Sequence, residues 1–240
     1  MIEAVLFDLD DTLHDDTQTY QRAAEGVANE IAAERGVDGA RLFAAYVAES
    51  EAFWKTLTVA VFDEPLVGLR ARMWANALRS VGIDDPELAA RCGAAYNDYR
   101  RRYLQLWPGA LELLHSLRER GCKLAMITNG MAETHREKIA LLQLEDAFDE
   151  IFIADEVGLI KPDVRLFRLA ADRLGIAPER CAMVGDRYDR DIRGAHDAGM
   201  FTVWMNVRDE AVPPGAPEPD AIVARIGDVE AALPIARTPA

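Results

Sequence analysis

The chain has 240 residues, of which 50% are hydrophobic, so it is long enough for one large α/β domain or a core domain with an insertion. Its 41 acidic and 27 basic residues give a net charge of −14, which argues against nucleic acids and anionic membranes as partners but not against a small anionic substrate. No apolar stretch is long enough for a membrane span, no basic segment precedes the first apolar run, and the 3 cysteines are widely spaced, so we expect a cytoplasmic protein with reduced thiols.

The first strand is predicted at residues 3–8, where the apolar run Ala4–Phe7 leads into an acidic segment that ends at Thr12. Alternation along an extended chain puts Asp8 and Asp10 on the same side. Two carboxylates about 4 Å apart repel by about 4 kcal/mol at an effective dielectric constant of about 20, so the pair requires a cation or a shared proton. Mg²⁺ prefers oxygen ligands and meets that requirement. One carboxylate of such a pair can attack as a nucleophile while the other moves protons.

Four amphipathic helices and no strand are predicted between about Asp16 and Leu106. The first helix ends at Gly36, the second carries an aromatic stripe that runs to Leu57, and the third ends near Gly82. The fourth begins at Asp85-Pro86, where the aspartate can cap the helix and the proline can take its first position. These helices predict a small bundle.

The position of the bundle predicts the domain organisation. Residues 14–106 are expected to form a four-helix domain inserted into an α/β core domain made of residues 1–13 and 107–240. Because the insertion directly follows the acidic strand end, we expect it to cap the site. Four of its side chains are candidates for contacts with substrate: Trp54, Arg70, Arg72 and Arg102. The tryptophan is more typical of a core residue, and the arginines of solvated faces.

After Trp107-Pro108-Gly109 the pattern alternates between strands and helices. Strands are predicted at 123–128, 150–154, 181–185, 201–204 and 220–223. Helices are predicted at 109–120, 133–144, 164–174, 191–198 and 229–233. Such alternation predicts a Rossmann-like parallel sheet, joined by right-handed crossovers, with helices on both faces.

Polar residues follow two of these strands, and ligands of open α/β sheets bind at the carboxyl ends of strands. The strand at 123–128 leads into Thr128-Asn129-Gly130, whose side-chain and backbone donors suit phosphoryl oxygens, although the same residues suit an ordinary capped turn. Lys161 is held extended by Pro162 just ahead of a helix, where its ammonium can neutralise a nucleophile and an incoming phosphoryl group. A solvated surface lysine is the alternative.

A third strand end supplies another acid. The strand at 181–185 leads into Gly185-Asp186, and the glycine allows a close approach of the backbone. Asp191 lies one turn into the next helix, where it can orient metal-bound water or Lys161. Asp189 is expected to have no more than a turn or capping role.

Taken together and in order, these segments resemble the four motifs of the haloacid dehalogenase-like hydrolases: Asp8 to Thr12, Thr128, Lys161, and Gly185-Asp186 with Asp191. The resemblance covers residues 2 to about 233 and is loosest in the helical segment. It implies that Asp8 is the nucleophile and a metal ligand. It also implies that Asp10 is the acid and base, and that Asp10 binds the metal through its backbone carbonyl.

The resemblance implies the remaining roles as well. Thr128, with the neighbouring amides of Asn129, binds the phosphoryl group, and Lys161 stabilises its charge. Asp186 is the third protein ligand of Mg²⁺. Asp191 does not bind the metal itself and orients metal-bound water or Lys161. The expected reaction is Mg²⁺-dependent hydrolysis of a small phosphomonoester through an aspartyl-phosphate, and a nucleoside monophosphate is the substrate favoured by analogy with similar caps.

Three alternatives stay open: a phosphomutase, a hydrolytic dehalogenase and a non-catalytic binding protein of the same fold. A dehalogenase needs neither a proton donor nor a metal, so it leaves the acids at positions 10 and 186 without a purpose. Arg187 stands where many members of the family have a small polar residue, and it either adds a phosphate contact or faces water. The histidines are given no role: His14, His115, His135 and His196. The sequence does not indicate an oligomeric state.

Overall fold

The structure is a computed structural model that describes residues 1–55 and 65–235. The chain divides into two compact units, one made of Met1–Asp15 and the chain from Gln105 onward, the other of Asp16–Leu104. Leu57, predicted in the stripe of the second helix, lies outside the described residues. A capping role for the helical unit stays a prediction.

Six parallel strands form one sheet in the first unit: β1 (Ala4–Phe7), β2 (Lys123–Thr128), β3 (Glu150–Ile153), β4 (Cys181–Gly185), β5 (Phe201–Met205) and β6 (Ala221–Val223). Their order is β3-β2-β1-β4-β5-β6, so the first strand of the chain lies inside the sheet. Ala4 pairs with Lys123 on one side and with Cys181 on the other. Every residue of β1 is fully buried, as is usual for a strand covered on both faces. The predicted α/β, Rossmann-like fold is confirmed.

The second unit consists of helices: α1 (Asp16–Arg35), α2 (Gly39–Lys55), α3 (Leu66–Ser80) and α4 (Pro86–Tyr103). The predicted cap of α4 is present, since the backbone N–H of Leu88 donates to Asp85 at 3.0 Å. The rings of Tyr46 and Trp74 stack with centroids 4.0 Å apart and form part of the core of this unit.

The candidate substrate contacts in the helical unit differ in burial. Trp54 is half-buried, and Arg72 and Arg102 are exposed. The expectation of a solvated face was wrong for Arg70, which is 8% exposed. Its guanidinium carbon lies 5.4 Å from the centroid of the Tyr96 ring, and this cation–π contact offsets part of the cost of burying the charge.

The sheet unit has six helices within its described residues: α5 (Ala110–Glu119), α6 (Ala132–Leu141), α7 (Ala154–Val157), α8 (Val164–Leu174), α9 (Arg193–Ala198) and α10 (Val229–Ala232). The apolar side of α8 packs on the sheet, where Phe167 and Ala170 join Leu6, Ile127 and Met183 in one buried cluster. Across the described ranges, no helix is both long and apolar enough to cross a membrane.

Most predicted bounds lie within one or two residues of the observed ones, and three features differ by more. Helix α6 ends at Leu141 because Gln143 takes a left-handed conformation with φ of 56°, and the Leu144 N–H then bonds the Ile139 carbonyl, as in a Schellman cap. The one-turn helix α7 follows β3 directly and is not predicted. A π-helical turn at Tyr188–Ile192 precedes α9, where an ordinary helix was expected from residue 191.

Candidate active site

Asp8 is the first residue beyond β1 and lies at the carboxyl edge of the sheet. Its side chain is 8% exposed, and Lys161 Nζ lies 2.7 Å from its Oδ1. Its backbone N–H donates to the Val184 carbonyl of the neighbouring strand at 2.9 Å, which fixes the residue to β4. Burial raises the pKa of Asp8 to about 7, against the lowering effect of the Lys161 charge.

Lys161 forms ion pairs with two buried acids. Its Nζ lies 2.7 Å from Asp8 Oδ1 and 2.6 Å from Asp191 Oδ1, and its side chain is 2% exposed. Burial alone would lower the pKa of Lys161, but the charges of Asp191 and Asp8 outweigh it and raise the pKa above its usual value. The ammonium is therefore positively charged beside the predicted nucleophile, and the solvated surface lysine considered above is wrong.

Asn129 positions the backbone of Lys161. The side-chain Oδ1 of Asn129 accepts from the Lys161 N–H at 2.8 Å, and its Nδ2 donates to the Lys161 carbonyl at 3.0 Å. The Asn129 amide is thereby engaged within the protein. Its predicted contact with a phosphoryl group stays a prediction.

Thr128 ends β2, next to β1 in the sheet. Its side-chain Oγ1 is buried, and no hydrogen-bond partner is present for it among the described residues. A buried hydroxyl without a partner costs about 1–3 kcal/mol, which a bound oxygen ligand would recover. The predicted phosphoryl contact fits this position.

The turn after β4 is built around Asp191. A Cβ placed on Gly185 would lie 2.4 Å from Asp191 Cγ, so only glycine leaves room for this carboxylate. The backbone N–H of Arg187 donates to Asp191 Oδ2 at 2.9 Å, which fixes the second oxygen. The space that the glycine provides is filled by the Asp191 side chain and is not left for a ligand.

Three buried acids meet at this edge of the sheet. One carboxylate oxygen each from Asp8, Asp186 and Asp191 lies within 4.8 Å of the others. Burial raises the pKa of Asp186 well above its usual range, and the charges of Asp191, Asp8 and Asp11 raise it further. Carboxylate oxygens crowded in this way suit a hard divalent ion, so the donor set fits the predicted Mg²⁺.

The side chain of Asp10 has different surroundings from that of Asp8. Lys138 Nζ lies 2.7 Å and 2.8 Å from its two oxygens, His14 Nε2 lies 2.8 Å from Oδ1, and His135 Nε2 lies 3.4 Å from Oδ2. Burial raises the pKa of Asp10, but Lys138, His135 and the hydrogen bond of His14 together hold it well below its usual range. We call Asp10 with these three basic residues the Asp10 cluster.

No role was predicted for His14, His135 or Lys138 from the sequence, and the structure shows that all three contact Asp10. One signal was available, because His14 lies four residues after Asp10, and His135 and Lys138 lie three apart on the helix that follows Thr128. The alternation of elements brings the start of that helix to the edge where Asp10 lies. Nothing in the spacing itself indicated that all three would contact one carboxylate.

Two arginines, Arg187 and Arg208, pair with acidic residues at or near the candidate site. Arg187 is 44% exposed and pairs with Asp189 at 3.4 Å, so it faces an acid on its own turn. Arg208, which follows β5, lies 2.7 Å from Asp11 Oδ2 and 3.4 Å from Asp186 Oδ2. The backbone of Asp11 has a φ of 58°, a left-handed conformation that aspartate adopts more readily than most residues.

Comparison with known proteins agrees with the motifs. A family model described as haloacid dehalogenase-like hydrolase matches residues 2–199. A glyceraldehyde 3-phosphate phosphatase of Methanopyrus kandleri is 36% identical over 85% of this chain and 83% of its own length. A phosphoserine phosphatase of Thermus thermophilus is 35% identical over 95% of this chain and 96% of its own. The fold is similar to that of YfnB, a HAD-hydrolase of Bacillus subtilis solved bound to magnesium, with a TM-score of 0.77 and 22% identity over 98% of this chain and 99% of that one.

Proposed function

This chain belongs to the haloacid dehalogenase-like hydrolases and hydrolyses phosphoric monoesters, and we propose that it does so with Mg²⁺ through a covalent intermediate on Asp8. The observation that carries the proposal is the burial of Asp8 at a strand end, 2.7 Å from the ammonium of Lys161, with Asp186 close by. Such a carboxylate is already removed from water and lies beside a fixed cation. It can therefore react with an anionic phosphoryl group without first losing a hydration shell.

In the proposed reaction, an Asp8 carboxylate oxygen attacks phosphorus while the bond to the ester oxygen breaks. The departing alkoxide takes a proton from Asp10. Water then attacks the aspartyl-phosphate and gives a proton to Asp10, and phosphate leaves from Asp8. Lys161 and the donors around Thr128 stabilise the charge on the transferred group.

Mg²⁺ would be held by Asp8, Asp186 and the Asp10 carbonyl, and when bound it would supply positive charge to the phosphoryl oxygens. In the part of the chain that the structure describes, the Asp8 and Asp186 side chains lie together, and the Asp10 side chain is turned to its basic neighbours. A ligand role for Asp10 therefore falls to its backbone carbonyl.

The basic residues around Asp10 mean that it needs a source for the proton that it donates in this mechanism. A carboxyl whose pKa is well below its usual range is ionised in the free protein, so it must gain a proton before it can donate one. A phosphomonoester that binds as its monoanion carries such a proton, since the second pKa of a phosphate ester is about 6. In the second step the ionised form of Asp10 is the one required, and the cluster favours it.

The substrate is proposed to be a small phosphorylated metabolite. The two relatives described above are named for glyceraldehyde 3-phosphate and phosphoserine, which are both phosphate esters of a primary alcohol. Nucleoside 5′-monophosphates share that chemistry, and the preference for them stays a prediction. The leaving group in each case is an unactivated alkoxide, which needs the proton that Asp10 is proposed to give.

The proposal is tested by phosphate release from these three kinds of ester, with Mg²⁺ and with EDTA. We expect turnover with at least one ester in Mg²⁺ and none in EDTA. A phosphomutase would instead move the phosphoryl group to a second hydroxyl, and a dehalogenase would release chloride from 2-chloropropionate in EDTA. Either result without phosphate release would overturn the proposal.

Asp8→Asn tests the nucleophile. We expect loss of turnover by at least about 10³-fold, because an amide does not form the covalent intermediate. Little change in melting temperature is expected, since the change removes one charge from a crowded group of acids and keeps the shape of the side chain. Unchanged turnover would exclude Asp8 as the nucleophile, and a non-catalytic scaffold would show no turnover in either protein.

A further inference from the structure

Lys138 belongs to the Asp10 cluster, and the mechanism described above gives it only a share in keeping Asp10 ionised. It lies on α6, the helix that follows the Thr128 strand end, and its side chain is 5% exposed. Its Nζ is 2.7 Å from one oxygen of Asp10 and 2.8 Å from the other, so one ammonium binds both ends of the carboxylate. Such a contact restrains the position of the whole carboxylate group, because the ammonium attracts both oxygens about equally.

We propose that Lys138 is a positioning residue for Asp10, holding its carboxylate in the place needed to exchange protons with the ester oxygen and with water. The inference rests on the proposed function, since it concerns the group that moves the protons there. Lys138 acts through Asp10 and contacts neither substrate nor metal in this scheme.

The helix that carries Lys138 is itself fixed close to the site. A Cβ on Gly130 would lie 1.8 Å from His135 Cε1, so the imidazole packs directly on the backbone just beyond Thr128. His135 Nδ1 also lies 3.2 Å from the Met131 carbonyl. The segment predicted to bind the phosphoryl group and the lysine that binds Asp10 therefore belong to one continuous, closely packed strand, turn and helix.

Stability alone does not explain why Asp10 and Lys138 form a buried pair, because replacing both members of a buried ion pair with apolar side chains is often neutral or stabilising. While Asp10 is present, removal of Lys138 leaves a buried charge without this partner, so Lys138→Met is also expected to cost stability. His14 also contacts Asp10 Oδ1, at 2.8 Å, and His135 lies 3.4 Å from Oδ2. What Lys138 adds is contact with both oxygens, which holds the carboxylate group as a whole close to α6.

The test uses the full chain with Mg²⁺ and compares Lys138→Met, Lys138→Arg, Asp10→Asn and the double variant Asp10→Asn with Lys138→Met. Lys123→Met is the matched control, because Lys123 is exposed at the start of β2. Two esters are used: glycerol phosphate, whose alkoxide needs a proton, and p-nitrophenyl phosphate, whose phenolate leaves without one. Thermal unfolding checks folding, and Lys138→Gln replaces the methionine variant if that variant does not fold.

For glycerol phosphate, we expect Lys138→Met to lower kcat by about 10- to 100-fold with little change in KM, because misplacing a catalytic group costs this much. The first turnover of p-nitrophenyl phosphate should fall by less than about threefold, because that step needs no acid. The double variant should be no slower than Asp10→Asn, and Lys138→Arg should recover most of the rate. Lys123→Met should match the wild type.

Two results would overturn the inference while leaving the proposed function intact. One is a wild-type rate in Lys138→Met. The other is an equal loss on both esters, with the double variant slower than Asp10→Asn, which would indicate a separate role for the lysine. If the wild type released phosphate from neither these two esters nor those named under the proposed function, the proposed function would fail together with the inference.

Discussion

The ammonium of Lys161 lies between two buried carboxylates, Asp8 at 2.7 Å and Asp191 at 2.6 Å. Asp186 brings a third acid to within 4.8 Å of both. One lysine thus balances part of a larger negative charge, and Mg²⁺ is proposed to balance the rest. Removal of either cation should therefore affect both folding and catalysis.

Lys161→Met is expected to destabilise the metal-free protein at about pH 8 by about 3–5 kcal/mol, because it leaves ionised carboxylates buried without their partner. Mg²⁺ should restore more stability to this variant than to the wild type, since it is proposed to bind the same acids. The measurement is urea unfolding with EDTA and with Mg²⁺. In Mg²⁺, kcat should also fall by at least about 10²-fold.

Lys123→Met serves as the control for that change, and its stability should lie within about 0.5 kcal/mol of the wild type. If Lys161→Met unfolded at the same urea concentration as the control in EDTA, the ion pairs with Asp8 and Asp191 would not contribute to stability.

At the level of single residues, the sequence located groups that follow a strand and missed groups that reach the site from elsewhere. The acidic strand end and Thr128 were predictable because parallel strands share one carboxyl edge. Lys138 and His135 were not, because their contact with Asp10 depends on how α6 lies on the sheet. The two-way bond between Asn129 and the Lys161 backbone joins residues 32 apart, and no local pattern indicates it.

The connection from β4 through the π-helical turn to α9 depends on one glycine. Gly185→Ala is expected to push the Asp191 carboxylate away from Lys161, since the added Cβ would lie 2.4 Å from its Cγ. We expect a loss of about 1–3 kcal/mol in the free energy of unfolding, which is typical of overpacking, together with a lower kcat. Urea unfolding and steady-state kinetics measure the two effects.

Gly227→Ala is the matched control, because a Cβ at Gly227 meets nothing within 4 Å. Equal stability of the two alanine variants would contradict the tight contact between Gly185 and Asp191.

At the level of elements, the bounds were predicted well where the apolar pattern is strong. They were predicted poorly where the backbone takes an unusual conformation. The bounds of α8 and of β4 match the predicted ones, because a left-handed Gly175 ends the first and an apolar run defines the second. The end of α6 was predicted too late because Gln143 takes the position that glycine usually fills. Leu144 is still fully buried, so the apolar pattern continued past the end of the helix.

At the level of the whole molecule, the buried acids predict how stability depends on pH. Burial raises the pKa of Asp8 from 3.8 to about 7, so between these values the folded protein binds a proton that the unfolded chain has lost. Raising the pH through this range therefore removes stability, and Asp186 acts in the same direction. The pKa of Asp10 is lowered instead, so Asp10 affects the pH dependence of stability only at pH values below this range.

We expect the melting temperature in EDTA to fall between about pH 5 and pH 7, where 1 kcal/mol corresponds to about 2–4 °C for a chain of this size. Mg²⁺ should reduce or reverse the fall, because it favours the ionised carboxylates. Calorimetry at a series of pH values with and without Mg²⁺ measures both. A melting temperature in EDTA that rises over this range would contradict the raised pKa of Asp8.

The position of β1 inside the sheet also determines when the sheet can form as the chain leaves the ribosome. Its neighbours begin at Lys123 and Cys181, so β1 emerges long before either partner has been translated. The helical unit, Asp16–Leu104, is one continuous stretch of the chain, so all of it emerges before β2 begins. During synthesis Asp8 therefore emerges before the other acids of the candidate site, and the edge that brings it next to Asp186 can close only after β4 has emerged.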